Sequence, residues 1–209
     1  MVDSASQDFY DRQLNSPNPI RRWWHNSRRE LIHRLVKKYY TFGFVVDLGC
    51  GNCTWNYRGE FPAVGVDKNR EALIYAFHQQ RIMSMVCCDI TDTQMRDGSA
   101  KLIVSSEVME HIPDTDRYLE EIHRLLSPDG IFILTLPYDT FISAWKPLFA
   151  AQCFLKGFVQ HDAYYINKCG HIHHYDKPKL AKRLKQSGFG IKELGVYYGM
   201  TLYCVAVKI

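Results

Sequence analysis

Val45-Val46-Asp47-Leu48-Gly49-Cys50-Gly51-Asn52-Cys53-Thr54 decides the fold: an apolar run closes on an acidic residue and a glycine-rich turn. Four residues of this kind suit a strand buried on both faces. Glycines at 49 and 51 let the backbone turn sharply and leave room for a ligand against the main chain, where a Cβ would intrude. A bound small molecule is therefore expected at this strand end.

Outward from that turn, short apolar runs alternate with helical stretches. Residues 44–48, 63–66, 84–88, 102–105 and 131–136 read as buried strands, and 70–80 and 116–126 as helices, the second ending in a turn at Ser127-Pro128-Asp129-Gly130. This βαβ alternation predicts an α/β fold with a doubly wound, mostly parallel sheet, whose ligand lies beyond the carboxyl ends of the strands. Two strand-like runs over 191–198 and 201–208, separated by Gly199-Met200, predict an antiparallel C-terminal hairpin. Residues 177–187 read as the helix before it. Eighteen residues beyond Gly49, the second strand ends in Asp67, a carboxylate placed to accept from both hydroxyls of a ribose. The third ends at Asp89-Ile90, suited to an exocyclic adenine amine and the adenine ring.

A dinucleotide site needs glycines at the first, third and sixth positions of the turn, and the sixth from Gly49 is Thr54. The chain instead resembles the class I S-adenosylmethionine-dependent methyltransferases, above all the group related to ubiquinone and menaquinone biosynthesis methylases (methyltransferase type 11). The resemblance runs through Asp47-Leu48-Gly49-Cys50-Gly51, Val66-Asp67, Asp89-Ile90, Ser106-Glu107-Val108-Met109-Glu110-His111-Ile112-Pro113 and Leu125-Leu126-Ser127-Pro128-Asp129-Gly130. It implies a seven-stranded sheet with an antiparallel last strand, and S-adenosylmethionine held by Asp47, Gly49, Cys50, Gly51, Asp67, Lys68, Asp89, Ile90, Ser106 and Glu107. Gly49 and Gly51 would approach the methionine part, Asp67 the ribose and Asp89 the adenine. Two departures stand out: Cys53 where the family commonly has a third glycine, and Pro128-Asp129-Gly130 where it commonly has Pro-Gly-Gly. Cys50 and Cys53 also spell C-x-x-C, a redox or metal pattern in other settings.

Methyl transfer from a sulfonium is an in-line displacement in which orientation alone can supply about 7–11 kcal/mol. A hydroxyl acceptor must still lose a proton, to a base or with help from a metal. Glu107, Glu110 and His111 follow the fourth strand, and their spacing resembles the ubiquinone-pathway O-methyltransferases, where this segment can hold a divalent cation. His171 and His173 join His111 as candidate bases, and Cys169, His171 and His173 as a weaker zinc set. The same run carries His161, Asp162, Tyr164, Tyr165, Gly170, His174 and Tyr175.

The 209 residues suit one domain, laid out as an N-terminal basic helical region (1–41), a cofactor-binding core (42–137), an acceptor-side insert or lid (138–176) and a C-terminal helix and hairpin (177–209). Net charge of +4 is too mild to imply nucleic acid, and no Asn/Asp-Pro-Pro-Tyr/Phe run follows the fourth strand. No apolar run reaches the length of a membrane span, the start of the chain reads as neither secretory signal nor transit peptide, and seven cysteines without framework spacing fit reduced thiols. Cytoplasmic residence, in solution or at a membrane surface, is expected. Between residues 19 and 40 seven basic residues face Glu30 alone, and Ile20, Trp23, Trp24, Ser27, Leu31, Leu35 and Tyr39 recur at helical spacing after the turn Ser16-Pro17-Asn18-Pro19. With the apolar insert containing Phe141, Ile142, Trp145, Leu148, Phe149, Phe154, Leu155 and Phe158, this points to a lipid-like or polyprenyl acceptor. Together with the resemblance to the ubiquinone-pathway O-methyltransferases, it implies a small or lipid-linked acceptor of polyprenyl or quinol type, methylated at oxygen. Methylation of a sugar or lipid headgroup in envelope biosynthesis is the alternative, and a non-catalytic cofactor-binding subunit the alternative of another class. Oligomeric state is left open.

Overall fold

The computed structural model describes residues 7–138 and 171–209, with Thr140, Ser143, Pro147, Ala150, Ala151 and Phe154 between them. Most of the expected insert, including Phe141, Trp145, Phe158, His161, Asp162, Tyr164, Tyr165, Cys169 and Gly170, lies outside the described residues.

Seven strands form one sheet: β1 (Val45–Leu48), β2 (Ala63–Asp67), β3 (Ser84–Cys87), β4 (Ala100–Ser106), β5 (Leu126–Pro137), β6 (Phe189–Tyr197) and β7 (Thr201–Lys208). Their order is β3-β2-β1-β4-β5-β7-β6, with β1 to β5 parallel and β7 antiparallel to both β5 and β6. This is the Rossmann-like seven-stranded fold that the strand and turn pattern predicts.

Alternate side chains along each strand go to opposite faces. Val46, Leu48, Ile103, Phe132 and Leu134 pack on one side beneath helices α4 (Thr115–Leu125) and α5 (Lys177–Gln186). Val45, Leu102, Val104 and Ile133 pack on the other beneath α2 (Pro19–Tyr39) and α3 (Arg70–His78). Burial on both faces explains why the strands read as unbroken apolar runs. Each of these four helices starts at a side-chain cap. Asn18 accepts from Ile20 and Arg21, Asn69 from Ala72, Asp114 from Arg117 and Asp176 from Lys179, each satisfying orphan amides of a first turn.

Three expectations need correction, and one helix is added to the expected elements. The turn at 127–130 does not interrupt the chain but sits inside β5 as a bulge: Ala100 pairs with Leu126 and Leu102 with Ile131, and Asp129 takes a positive φ of 58°. β3 is an edge strand, and its Ser84, Met85 and Cys87 are exposed rather than buried. A short helix, α1 (Phe9–Leu14), occupies sequence that carries no helical signal. On α2, Trp24 turns inward with Leu31, Ile32, Leu35 and Val36, while Ile20 and Trp23 stay exposed.

Candidate active site

The carboxyl ends of β1 and β4 line one cavity, and the end of β2 is tied to the glycine turn that borders it. Gly49 and Gly51 hold φ of 71° and 49°, and a Cβ on Gly49 would lie 2.6 Å from Val108 Cγ2 in the loop after β4. Glycine is thus required there both by backbone conformation and by close approach. Gly51 N donates to Asp67 Oδ2 at 2.8 Å and Asn69 N donates to Asp67 Oδ1 at 2.8 Å. Asp67 therefore locks the glycine turn to the end of β2. Cys53 takes the left-handed conformation (φ 49°, ψ 52°), which accounts for glycine's frequency at this place in the family it resembles.

Asp47 is buried, and Trp55 Nε1 donates to its Oδ2 at 2.8 Å. Burial raises its pKa to about 7, against the opposing hydrogen bonds from Cys53 and Trp55. The thiols of Cys50 and Cys53 are pushed well up by burial and by the Asp47 carboxylate, which disfavours the thiolate form that nucleophilic or redox chemistry uses. Cys50 Sγ also lies 2.9 Å from where a Cβ on Gly65 would stand, which fixes glycine in β2.

Further along the strand ends, Asp89 Oδ1 accepts from Thr91 N and Thr91 Oγ1, both at 2.8 Å, and these bonds hold its carboxyl below the usual range. Ile90 packs on the core beside it, and Lys68 is exposed next to Asp67. Ser106 Oγ pairs with Thr135 Oγ1 at 2.9 Å.

The opposite wall comes from the N-terminal helices, and sequence reading did not assign it to the site. Tyr10, His25, Arg28 and Asn52 line the cavity with Ser106 and Glu107. The Tyr10 ring covers Gly51, its Cε2 2.6 Å from an ideal Cβ there. Asp11, next along α1, accepts from Tyr75 Oη (2.8 Å) and from both ends of the Arg81 guanidinium (3.0 Å each), while Arg81 also donates to the Asn52 carbonyl at 3.1 Å. Arg28 Nη1 lies 3.0 Å from Glu107 Oε2. Burial, then the charges of Arg28 and Arg21, lowers His25 to about 3, so its neutral ring can accept from Arg28 at Nδ1, 3.4 Å away. Asn52 is fully buried, and both its side-chain polar atoms lack a hydrogen-bond partner, as expected of groups placed for a bound molecule.

A second group lies where residues 171–173 meet the loop after β4. Glu110 is 1 % exposed, with neither carboxylate oxygen hydrogen-bonded. Its carbonyl accepts from Ile172 N (2.9 Å) and His173 N (3.1 Å), which brings the 171–173 segment onto the loop after β4. Ligand atoms of Glu110, His111 and His171 consequently lie within 4.8 Å of one another. Glu107 is not among them, a correction to the expected trio of Glu107, Glu110 and His111: its carboxylate turns to Arg28 instead. His173 is also apart, its Nε2 3.0 Å from the Ile112 carbonyl, so it clamps the loop. Burial, then the nearby Glu107 charge, raises Glu110 well above the usual carboxylate range.

A family model described as a methyltransferase domain matches residues 20–194. The chain belongs to the methyltransferase domain family. Its cofactor is S-adenosylmethionine. Among its relatives, the chain is 32% identical over 106 residues to a dimethylglycine N-methyltransferase of Parasynechococcus marenigrum (46% of this chain, 38% of that protein). It is 28% identical over 151 residues to a ubiquinone biosynthesis O-methyltransferase of Pseudomonas paraeruginosa (64% of this chain, 60% of that protein). The chain thus spans less than two thirds of the length of either relative. Its fold superposes with a TM-score of 0.64 on magnesium protoporphyrin IX methyltransferase of Synechocystis with bound S-adenosylmethionine, at 12% identity, covering 96% of this chain and 90% of that one.

Proposed function

We propose that this methyltransferase moves the methyl group of S-adenosylmethionine to a hydroxyl oxygen of a small or lipid-linked acceptor of polyprenyl or quinol type. The observation that carries the choice of oxygen is the Glu110 carboxylate, buried without a hydrogen-bond partner beside His111 and His171. A neutral amine attacks the methyl group with its own lone pair, whereas a hydroxyl must shed a proton, and a carboxylate with two imidazoles is the group that can take one. Relatives of both kinds exist, an N-methyltransferase and a ubiquinone O-methyltransferase.

In this reading Gly49, Gly51 and Asn52 bed the methionine portion of the cofactor, with Arg28 facing its carboxylate. Asp67 takes the ribose hydroxyls, and Asp89 with Ile90 the adenine. The acceptor oxygen attacks the methyl carbon as the carbon–sulfur bond breaks with its electron pair going to sulfur. The hydroxyl proton passes to the Glu110, His111 and His171 group. Tight positioning supplies most of the rate.

The same donor set fits a divalent cation: one carboxylate with both oxygens orphaned and two imidazoles match borderline metals. Such an ion, when bound, lowers the pKa of the acceptor hydroxyl. Glu110, His111 and His171 would hold it, with Glu110 fixed through its own backbone carbonyl.

Incubation with labelled S-adenosylmethionine and a total cell extract, partitioned into organic and aqueous phases, tests the acceptor class. Label in the organic phase, released as a methyl ether on analysis, is the expected result. Label confined to the aqueous phase or to an amine overturns the lipid-linked oxygen acceptor.

A further inference from the structure

The hairpin joining β6 to β7 turns through Tyr198 and Gly199, both at positive φ (50° and 66°), with Met200 N donating to the Tyr197 carbonyl at 3.0 Å. Two successive left-handed residues make a type I′ turn, whose first central position favours asparagine, aspartate or glycine. A tyrosine held there is strained, and the turn itself gives no reason for it. Nor does burial, since Tyr198 is 56% exposed.

Tyr198 stands in an aromatic group on the surface. Its ring centroid is 4.9 Å from that of Trp23 and 4.3 Å from that of Tyr197. The Arg34 guanidinium lies 5.4 Å over the Tyr197 ring and donates to its hydroxyl at 2.9 Å. Trp23 and Ile20 remain 45% and 58% exposed, although α2 buries its other apolar residues. The group sits at the carboxyl end of the parallel strands: Thr201 pairs with Pro137 at the end of β5, and Tyr138 N donates to the Met200 carbonyl at 2.8 Å. An acceptor approaches from this end of the sheet.

We infer that Ile20, Trp23 and Tyr198 form a docking surface for an anionic phospholipid membrane. Amphipathic Trp and Tyr rings favour the headgroup layer, an exposed aliphatic side chain between them gains by entering the acyl boundary, and arginines pair with lipid phosphates. The charge agrees: Arg21, Arg22 and Arg34 lie on the same helix as Trp23, in a segment with seven basic residues and one acidic one. A single-stranded nucleic acid is the poorer fit, because Ile20 offers no face on which a base could stack. The inference rests on the lipid-linked acceptor reading for its biological purpose, but its test reads membrane retention and not methylation, so the two can fail separately.

Flotation with vesicles of phosphatidylcholine alone, or containing phosphatidylglycerol, gives the test. The wild-type chain is expected to float with the anionic vesicles at low salt, weakly with neutral ones, and less at high salt. Tyr198→Asn relieves the strained turn and Trp23→Gln changes an exposed position, so both variants keep the fold. Each should reduce retention by about tenfold, on the scale of one lost interfacial aromatic. Thermal melts no lower than wild type confirm that the loss is not unfolding. Absence of wild-type flotation, or equal flotation of wild type and both variants, overturns the inference. A dimer in solution that Tyr198→Asn dissociates overturns it too, by assigning the patch to a second copy.

Discussion

Arg28, on the long first-layer helix, and Glu107, in the loop after β4, form a 3.0 Å ion pair between side chains only 14% and 15% exposed. The pair joins the N-terminal helices to the strand-end loops across the cavity. Glu107 also sits at a positive φ of 57°, a conformation that a glutamate holds only where its surroundings impose it.

Removing one partner of a buried pair strands the other charge, at a stability loss of about 3–5 kcal/mol. Arg28→Ala should therefore lower Tm strongly and weaken S-adenosylmethionine binding at least tenfold. Arg28→Met combined with Glu107→Gln should recover much of the Tm but not the affinity. Calorimetric titration and thermal melts of the three proteins would separate folding from recognition, and equal recovery of both would exclude Arg28 as a cofactor ligand.

Gly49→Ala adds a methyl group 2.6 Å from Val108 Cγ2 at a residue with φ of 71°. We expect a loss of roughly 2–3 kcal/mol from strain and overpacking combined, together with weaker cofactor binding as the loop after β4 is pushed away. Denaturant titration reads the first effect. Unchanged stability would mean that this loop yields easily.

The pH dependence of stability follows from Asp47, Glu121 and His25. The folded protein holds the Asp47 proton up to about pH 7, whereas an unfolded aspartate releases it near 4. Between those values the folded state binds more protons there, so the Asp47 contribution to stability falls as pH rises toward 7. For Glu121 burial acts upward, but hydrogen bonds from Arg124 and Thr93 outweigh it and bring the carboxyl to about 2, so its contribution is lost as pH falls from about 4.5 to about 2. His25, lowered to about 3 by burial and the neighbouring arginines, opposes Asp47 between about pH 3 and 6.5, because there the folded state binds fewer protons at His25 than the unfolded chain. The Asp47 contribution is therefore read as a difference: Asp47→Asn should make the slope of Tm against pH between about 4 and 7 more positive than in wild type. A slope unchanged by the substitution would assign it to other groups.

Divalent manganese or zinc should raise Tm by several degrees at concentrations well above Kd, through preferential binding to the folded state. Glu110→Gln or His171→Ala should abolish the shift, and Glu107→Gln should leave it in place. Glu110→Gln should not destabilise the metal-free protein, because it neutralises a buried carboxylate without a hydrogen-bond partner. Retention of the full shift by Glu110→Gln would eliminate the cation centre.

The cofactor side of the fold was legible because its signals are local. A buried parallel strand must be apolar, a left-handed turn must be glycine, and Asp67 and Asp89 sit at strand ends that the alternation itself locates. What escaped depends on long-range contacts. Arg28 lies three residues before Leu31 and four before Ile32, so it shares their inward face, a spacing that marks it as other than a solvated base. Tyr10 carries no such signal, since α1 is too short for periodicity and is held by Asp11 bonds to Tyr75 and Arg81, more than sixty residues away. His171 joins Glu110 only because backbone amides at 172 and 173 bind the Glu110 carbonyl. The motif spacing 107–110–111 suggested three neighbouring ligands, but the left-handed Glu107 points its carboxylate elsewhere.

β7 comes after all its partners in sequence yet lies between β5 and β6. During synthesis β6 therefore emerges with no neighbour to bond to, and β5 keeps an open, strongly apolar edge until β7 arrives. β6 joins the sheet only through β7, so docking of the β6–β7 hairpin on β5 is the step that covers this apolar edge against pairing with another chain.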